Sequence, residues 1–186
     1  MHEVSRAPAV AGTFYPAAPR ALGALVDELL AAARPAAPEP CPKALIVPHA
    51  GYVYSGPVAA AGFARLLPYA DRLERVILLG PTHRVFVDGL AWPDADRLRT
   101  PLGEVEVDTA ALAMVPQVAA SAGAHAREHA LEVELPFLQR VAPRAKVVPL
   151  AGSRGSAAEI GAVLVAEGLL VGALDRAADD ILGQAK

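Results

Sequence analysis

Two patterns of apolar residues run along the chain, one typical of helices and one typical of buried strands. Over residues 19–34 the apolar positions recur every three or four residues, which indicates a helix with one apolar face. Short unbroken apolar runs between turn residues instead indicate strands that are buried on both faces. Three runs of this kind occur, at residues 43–47, 75–79 and 145–150. The chain therefore combines helices with the strands of a buried sheet.

The order of these elements predicts a mainly parallel sheet. Residues 57–67 are helical in pattern and connect the first two strands, so that the three elements form a βαβ unit. The runs 85–92 and 103–108 alternate like half-exposed strands and predict an antiparallel annex. Further helices are predicted after the capping residue Asp108 and over residues 133–141. We therefore expect an α/β fold, a three-layer sandwich around a mainly parallel central sheet.

Composition and charge narrow the class of protein further. The residue types AVILMFWYC make up 54% of the chain and charged residues 20%, which excludes a disordered protein. A net charge of −3 gives no electrostatic reason to expect a nucleic acid or an anionic membrane as partner. Because Cys41 is the single cysteine, no internal disulfide can form, and we expect a reducing cytoplasm. We predict one soluble domain over residues 1–186.

A histidine follows each of the first two predicted strands. The stretch "ALIVPHAGYVYSG" carries His49, and "VILLGPTHR" carries His83. Because ligands bind beyond the carboxyl ends of parallel strands, both imidazoles are expected in one crevice, where Tyr54 could line the pocket. Neutral imidazole is the commonest metal ligand in proteins, so the arrangement favours a shared metal ion. The alternative is that each histidine packs at the sheet edge with a hydrogen bond.

A second group of polar residues lies in the stretch "HAREHALEVE". As a pattern, His125-x-x-Glu128-His129 matches an inverted zinc-protease motif and leaves a zinc hydrolase as a remote alternative. A different use is favoured, in which His129, with Glu128 or Glu132, points into the crevice of the other histidines. There it would act as acid, base or supporting partner of the metal ligands.

Five longer motifs follow one another along the chain: "AGTFYP", "ALIVPHAGYVYSGPVAA", "VILLGPTHRVF", "TPLGEVEVD" and "EHALEVELPFLQ". In type and order they resemble the Memo-like proteins, called AmmeMemoRadiSam system protein B in prokaryotes, over about residues 6–165. The resemblance implies a fold similar to the class III extradiol dioxygenases (extradiol-dioxygenase-B-like). It also implies a divalent metal at the carboxyl edge of the sheet, iron or copper first and zinc as an alternative. His49 and His83 correspond to metal ligands and His129 to a pocket residue.

The resemblance ends before the C-terminus. Members of the family usually continue with an Asp-Leu-Ser-His-Tyr segment and a Cys-Gly pair, which supply another histidine and a metal-binding cysteine. In this sequence an apparent strand at residues 169–171 leads directly into a helical run, and no histidine follows His129. The domain of residues 1–186 is therefore expected to be a form shortened or truncated at its C-terminus.

Two functions of different class follow from these patterns. In the first, the chain is a metal-dependent oxidoreductase of dioxygenase type. His49 and His83 then bind the metal, His129 is the acid or base, and Tyr54 or Glu132 orients the substrate. In the second, it is a non-catalytic binding or adaptor protein whose pocket holds a small molecule or a peptide. Apolar positions over residues 174–182 leave a homo-oligomer open.

Overall fold

The structure is a computed structural model that describes residues 3–37, 39–155 and 157–166. The predicted strand at 169–171 and the apolar positions at 174–182 lie outside these residues. The strands are β1 Ser5–Arg6, β2 Arg75–Pro81, β3 Gly89–Trp92, β4 Arg97–Thr100, β5 Gly103–Glu106, β6 Ala119–Ala120 and β7 Lys146–Arg154. The α-helices are α1 Pro19–Ala32, α2 Tyr52–Phe63, α3 Thr109–Leu112, α4 Ala122–His125, α5 Leu135–Val141 and α6 Ala157–Ala166. Two 3₁₀ helices span Ala64–Arg72 and Glu132–Glu134.

A four-stranded sheet in the order β2-β7-β3-β6 forms the centre of the fold. β2 and β7 run parallel in a register that aligns Arg75 with Lys146 and Gly80 with Ala151. β3 is antiparallel to β7 and parallel to β6. Residues 147–151 of β7 are all buried, as the unbroken apolar run predicts for a strand between two neighbours. Together with the flanking helices, this sheet confirms the predicted α/β class.

A second, three-stranded sheet has the order β1-β4-β5. β4 and β5 form a hairpin, and β5 begins directly after the turn at Gly103, whose φ of +123° is a backbone conformation that favours glycine. The backbone N–H of Asp108 donates to the Val147 carbonyl at 2.8 Å and ties this sheet to β7. The antiparallel annex is thus confirmed for β5. The run 85–92 was predicted to belong to it and instead supplies β3 of the central sheet.

The predicted strand at residues 43–47 is wrong. The segment forms no ladder with any described strand, and Ile46 is 83% exposed. Its apolar run indicated burial, but a strand also needs neighbouring N–H and C=O groups, and within residues 3–37, 39–155 and 157–166 no strand offers them. The segment lies against α2, where Gly62 leaves room for the side chain of Val47. Among the described residues the predicted βαβ unit is therefore not formed, and β2 pairs in parallel with β7 instead of with residues 43–47.

Helices α1, α2 and α5 pack together and contribute side chains to the apolar core. The predicted apolar face of α1 is confirmed, since Leu22, Val26 and Leu30 are buried. In the core the Phe137 ring stacks on Phe63 at 5.2 Å between centroids. Among the described residues, no helix has both the length and the apolar character that crossing a bilayer requires.

Candidate metal site

Three histidine rings come together at one end of the central sheet. His83 lies two residues beyond β2, His49 lies just before α2, and His129 lies between α4 and the 3₁₀ helix Glu132–Glu134. The ring centroids of His83 and His129 are 4.5 Å apart, with 21° between the ring planes. His49 lies 5.3 Å from His83 and 6.1 Å from His129. The chain thus brings together the three histidines that the sequence predicts for one crevice.

The Glu128 carboxylate lies next to the rings of His83 and His129, and the residue is only 2% exposed. Its oxygens accept hydrogen bonds from the backbone N–H groups of His83, His129 and Ala130, the last two at 2.8 and 3.0 Å. They also contact His83 Nδ1 at 2.8 Å. Three of these four donors meet at Oε1 and one at Oε2, and together they fix the carboxylate relative to both neighbouring histidines.

The charge on Glu128 determines the tautomer of His83. Burial acts to raise the pKa of Glu128, but the hydrogen bonds from His83, Ala130 and His129 outweigh it and lower the pKa to about 2. The ionised carboxylate can only accept, so His83 Nδ1 carries the hydrogen in this contact. The Nε2 lone pair of His83 is then free for a ligand, the arrangement that a buried carboxylate commonly imposes on metal-binding histidines.

The other two histidines are favoured in their neutral form. Burial lowers the pKa of His49, and repulsion from His83 lowers it further. For His129, burial also lowers the pKa, assisted by His83, His49 and Arg84, and this outweighs the opposing attraction of Glu128. Both rings are therefore available as neutral nitrogen ligands near pH 7.

The donor set fits a transition metal. One ligand atom each from His83, Glu128 and His129 lies within 4.8 Å of the other two. Imidazole nitrogen with carboxylate oxygen suits first-row ions such as iron, copper and zinc. The His83 side chain is 39% exposed, which leaves the cluster accessible from solvent, whereas His129 is 15% exposed. A metal-binding site is therefore chemically reasonable here.

Tyr54 and Glu132, which the sequence predicts to orient the substrate, lie away from the three histidines. Tyr54 is 83% exposed on the surface of α2. Glu132 is buried, and its carboxylate contacts Arg6 and the backbone of residues 9–10 in the N-terminal part of the chain. Within the described part of the chain, neither side chain forms a hydrogen bond or an ion pair with the three histidines.

The inverted zinc-protease pattern does not assemble. His125 is only 4% exposed, and its Nε2 lies 2.9 Å from the Ala91 carbonyl on β3. Burial lowers the pKa of His125, as expected for a neutral ring that packs inside the fold. Because this nitrogen is directed at a backbone oxygen, His125 does not join Glu128 and His129 in a common ligand group.

Sequence reasoning missed two contributions to the site. The sequence suggested Glu128 as the glutamate of the zinc-protease pattern or as a partner of His129, whereas its carboxylate holds His83, which is 45 positions away. Phe14, in the motif "AGTFYP", packs its ring 4.7 Å from that of His129. The sequence indication for Phe14 was the motif in which it lies, because no strand or helix pattern accounts for that motif.

The buried carboxylate of Glu134 predicts that the free energy of unfolding depends on pH. It is 6% exposed, and neither carboxylate oxygen has a hydrogen-bond partner among the described residues. Burial raises its pKa from 4.5 to about 8. The folded protein therefore binds more protons than the unfolded chain between these values, so the free energy of unfolding falls as the pH rises from 4.5 to 8. Glu134→Gln should remove this slope and be more stable than wild type at pH 8, by on the order of 3 kcal/mol.

Urea unfolding of both proteins at pH 5 and pH 8 measures this effect. Glu74→Gln, which changes an exposed carboxylate, is the control and should keep the wild-type slope. A Glu134→Gln variant with the same pH dependence as wild type would show that the carboxylate is ionised in the folded protein.

The fold and the site together define an α/β protein with a cluster of metal-ligand type at the edge of its central sheet. Residues 6–166 match the family model described as Memo-like protein. The chain therefore belongs to the Memo-like protein family, and the resemblance carried by the five motifs is confirmed.

Several relatives carry the description MEMO1 family protein. That of Aquifex aeolicus is 42% identical over 149 residues, which cover 78% of this chain and 54% of the relative. That of Archaeoglobus fulgidus is 41% identical over 150 residues, 78% of this chain and 53% of the relative. The Thermotoga maritima protein is 35% identical over 161 residues, 79% of this chain and 57% of the relative. The chain thus spans about half the length of the curated relatives it matches.

Proposed function

We propose that this chain binds a divalent metal ion, iron or copper, and serves a metal-dependent oxidoreductase reaction of dioxygenase type. The observation that carries the proposal is the ionised Glu128, which holds His83 and His129 side by side with their Nδ1 atoms 2.8 and 3.3 Å from the same oxygen. This leaves the Nε2 atoms of both rings for a metal. When bound, iron or copper would supply Lewis acidity and redox chemistry.

His49 is the best third ligand among the described residues. Glu128 Oε1 already takes three of the four donors that hold His83 and His129, so Glu128 could bind an ion only through Oε2, which accepts from the His83 backbone N–H. His49 is neutral and adjacent, and it was one of the two ligands that the sequence indicated. In this proposal His49, His83 and His129 bind the ion, and Glu128 orients two of them.

The site would act on a small molecule or peptide in the cytoplasm. The exposed side of His83 provides access for such a ligand, whereas the ring of Phe14 shields one side of His129 from water. A reducing cytoplasm suits iron(II) and the lone cysteine, Cys41. Neither a nucleic acid nor a membrane surface is part of the proposal.

Anaerobic titration with iron(II) and with copper tests the metal site. Wild type should bind one ion per chain, and His83→Ala should bind roughly 100-fold more weakly because a ligand is lost. His49→Ala should also weaken binding, whereas Glu128 would be the third ligand if His49→Ala binds like wild type.

His125→Gln is the matched control, because it changes a histidine of the same stretch that faces Ala91 instead of the cluster. It should leave metal affinity unchanged. Equal affinities of wild type and His83→Ala would refute the proposed site.

A further inference from the structure

Arg6 connects the N-terminal strand β1 to the loop that carries Glu128 and His129. Its Nη1 lies 2.6 Å from Glu132 Oε2, its Nε donates to the His125 carbonyl at 3.0 Å, and its Nη2 donates to the Glu128 carbonyl at 2.5 Å. The side chain is only 11% exposed. One planar guanidinium thus contacts the loop at its start, in its middle and at its end.

The Glu132 carboxylate extends this network into the N-terminal segment, defined as residues 6–15. Its side chain is fully buried. It accepts from the backbone N–H groups of Ala9 and Val10 at 2.7 and 3.0 Å, and from the Tyr15 hydroxyl at 2.6 Å. Burial raises the pKa of Tyr15, and the hydrogen bond to Glu132 raises it further, so the phenol remains a donor. Each oxygen of Glu132 therefore has partners in the N-terminal segment.

The N-terminal segment in turn contacts both parts of the chain that carry the other site residues. The Phe14 ring packs against His129, and the Phe14 carbonyl accepts from the backbone N–H of Tyr52 at 2.8 Å. Tyr52 begins α2, three residues after His49. A side chain at Gly51 would come within 3.4 Å of the Phe14 carbonyl oxygen, which shows how closely the two backbones approach. The segment thus joins the His129 loop to the His49 loop.

We propose that Arg6 and Glu132 are positioning residues of the histidine cluster. Through the N-terminal segment they set where His129 lies relative to His49, and through the Glu128 carbonyl they set the carboxylate that orients His83. This inference rests on the proposed metal site and assigns Glu132 a different role from direct contact with substrate. Three hydrogen bonds from one rigid fork restrict a loop more strongly than a single point charge can, and such supporting contacts tune a metal site.

A purely structural role makes a different prediction from a positioning role. If Arg6 only stabilised the fold, its replacement would lower the free energy of unfolding but leave the folded site unchanged. If Arg6 positions the site, the folded variant should have a weaker and spectroscopically altered metal site. The distinguishing quantities are therefore metal affinity and ring environment, measured on protein that is still folded.

Arg6→Lys is the informative variant. Lysine keeps a positive charge opposite Glu132 but cannot contact the carbonyls of His125 and Glu128 at the same time. We expect copper(II) affinity to fall roughly 10–100-fold, with a changed electron paramagnetic resonance spectrum. The matched control is Arg140→Lys, which alters the ion pair between Arg140 on α5 and Asp27 on α1 and should change neither quantity.

Two further measurements test the positioning role even if Arg6→Lys does not fold or wild type does not bind metal. Tyr15→Phe removes one hydrogen bond from Glu132 and keeps the buried ion pair, so it should fold and show a smaller loss of affinity in the same direction. The ¹⁵N signals of the histidine rings report their tautomers without metal, and Arg6→Lys should shift those of His83 and His129. Unchanged affinity and ring signals in both variants would overturn the positioning role. Failure of wild type to bind metal would instead refute the proposed function, while the ring signals still test the positioning role.

Discussion

Glu128→Gln is expected to lower the free energy of unfolding at pH 7 by on the order of 3 kcal/mol and to weaken metal binding roughly 10–100-fold. The folded-state pKa of Glu128, about 2, lies below its ordinary value of 4.5. The ionised carboxylate therefore contributes stability above pH 4.5, and this contribution is lost as the pH falls towards 2. A glutamine at this position would direct an amide N–H₂ towards a group of donors, because three backbone N–H groups converge on the carboxylate.

Urea unfolding at pH 7 and pH 3, with metal titration at pH 7, measures both effects. The stability difference between wild type and Glu128→Gln should shrink at pH 3. Glu134→Gln is the natural comparison, since it changes a buried carboxylate of the same region that has no hydrogen-bond partner among the described residues. The two substitutions should have opposite signs at pH 7. If Glu128→Gln were neutral in stability and in metal affinity, the orienting role of Glu128 would be wrong.

Phe137→Ala is expected to cost about 3–5 kcal/mol of folding free energy, the range for truncating a fully buried aromatic residue. Phe137 has no exposed surface, stacks on Phe63 and lies 5.0 Å from the Tyr52 ring between centroids. Its removal would leave a cavity where α2 meets α5. Denaturant unfolding with a two-state analysis gives the free energy directly.

Phe86→Ala is the control for this prediction, because it removes the same side chain from a position that is 69% exposed. Its effect should stay within about 0.5 kcal/mol. A loss below about 1 kcal/mol for Phe137→Ala would mean that the neighbouring helices close the cavity, contrary to the packing described for Phe63 and Tyr52.

Local sequence patterns predicted the type of an element correctly where the segment that it packs against or pairs with is among the described residues. The apolar face of α1 and the buried run of β7 follow from the pattern of apolar side chains, and each packs against a described neighbour. The run 75–79 forms the predicted strand β2, but its predicted burial on both faces is wrong, because β2 lies at the edge of the described sheet, where Leu78 is buried and Leu79 is 44% exposed. The run 43–47 is also apolar, but within the part of the chain that the structure describes it has no strand beside it and forms no ladder. An apolar run expresses a tendency to be buried, whereas a strand also depends on hydrogen bonds to a second segment.

The sequence predicted which histidines come together in the site, but it did not predict the different roles of the two carboxylates, Glu128 and Glu132. His49 and His83 were placed together because both follow apolar runs, and their rings are neighbours although the first run is not a strand. Glu128 and Glu132 are four residues apart and chemically identical, yet one orients His83 and the other binds Arg6. The partners that distinguish them, His83 and Arg6, come from distant parts of the chain, so no local spacing could tell the two roles apart.

The sequence by itself determined the α/β class, the family and the three histidines of the cluster, because periodicity and short motifs are properties of neighbouring residues. Only the tertiary structure decided that Glu128 is ionised next to His83, that His125 faces Ala91, and that the N-terminal segment supports the site. Hydrogen bonds, burial and pKa values arise between groups far apart in the chain, and they exist only once folding has brought those groups together.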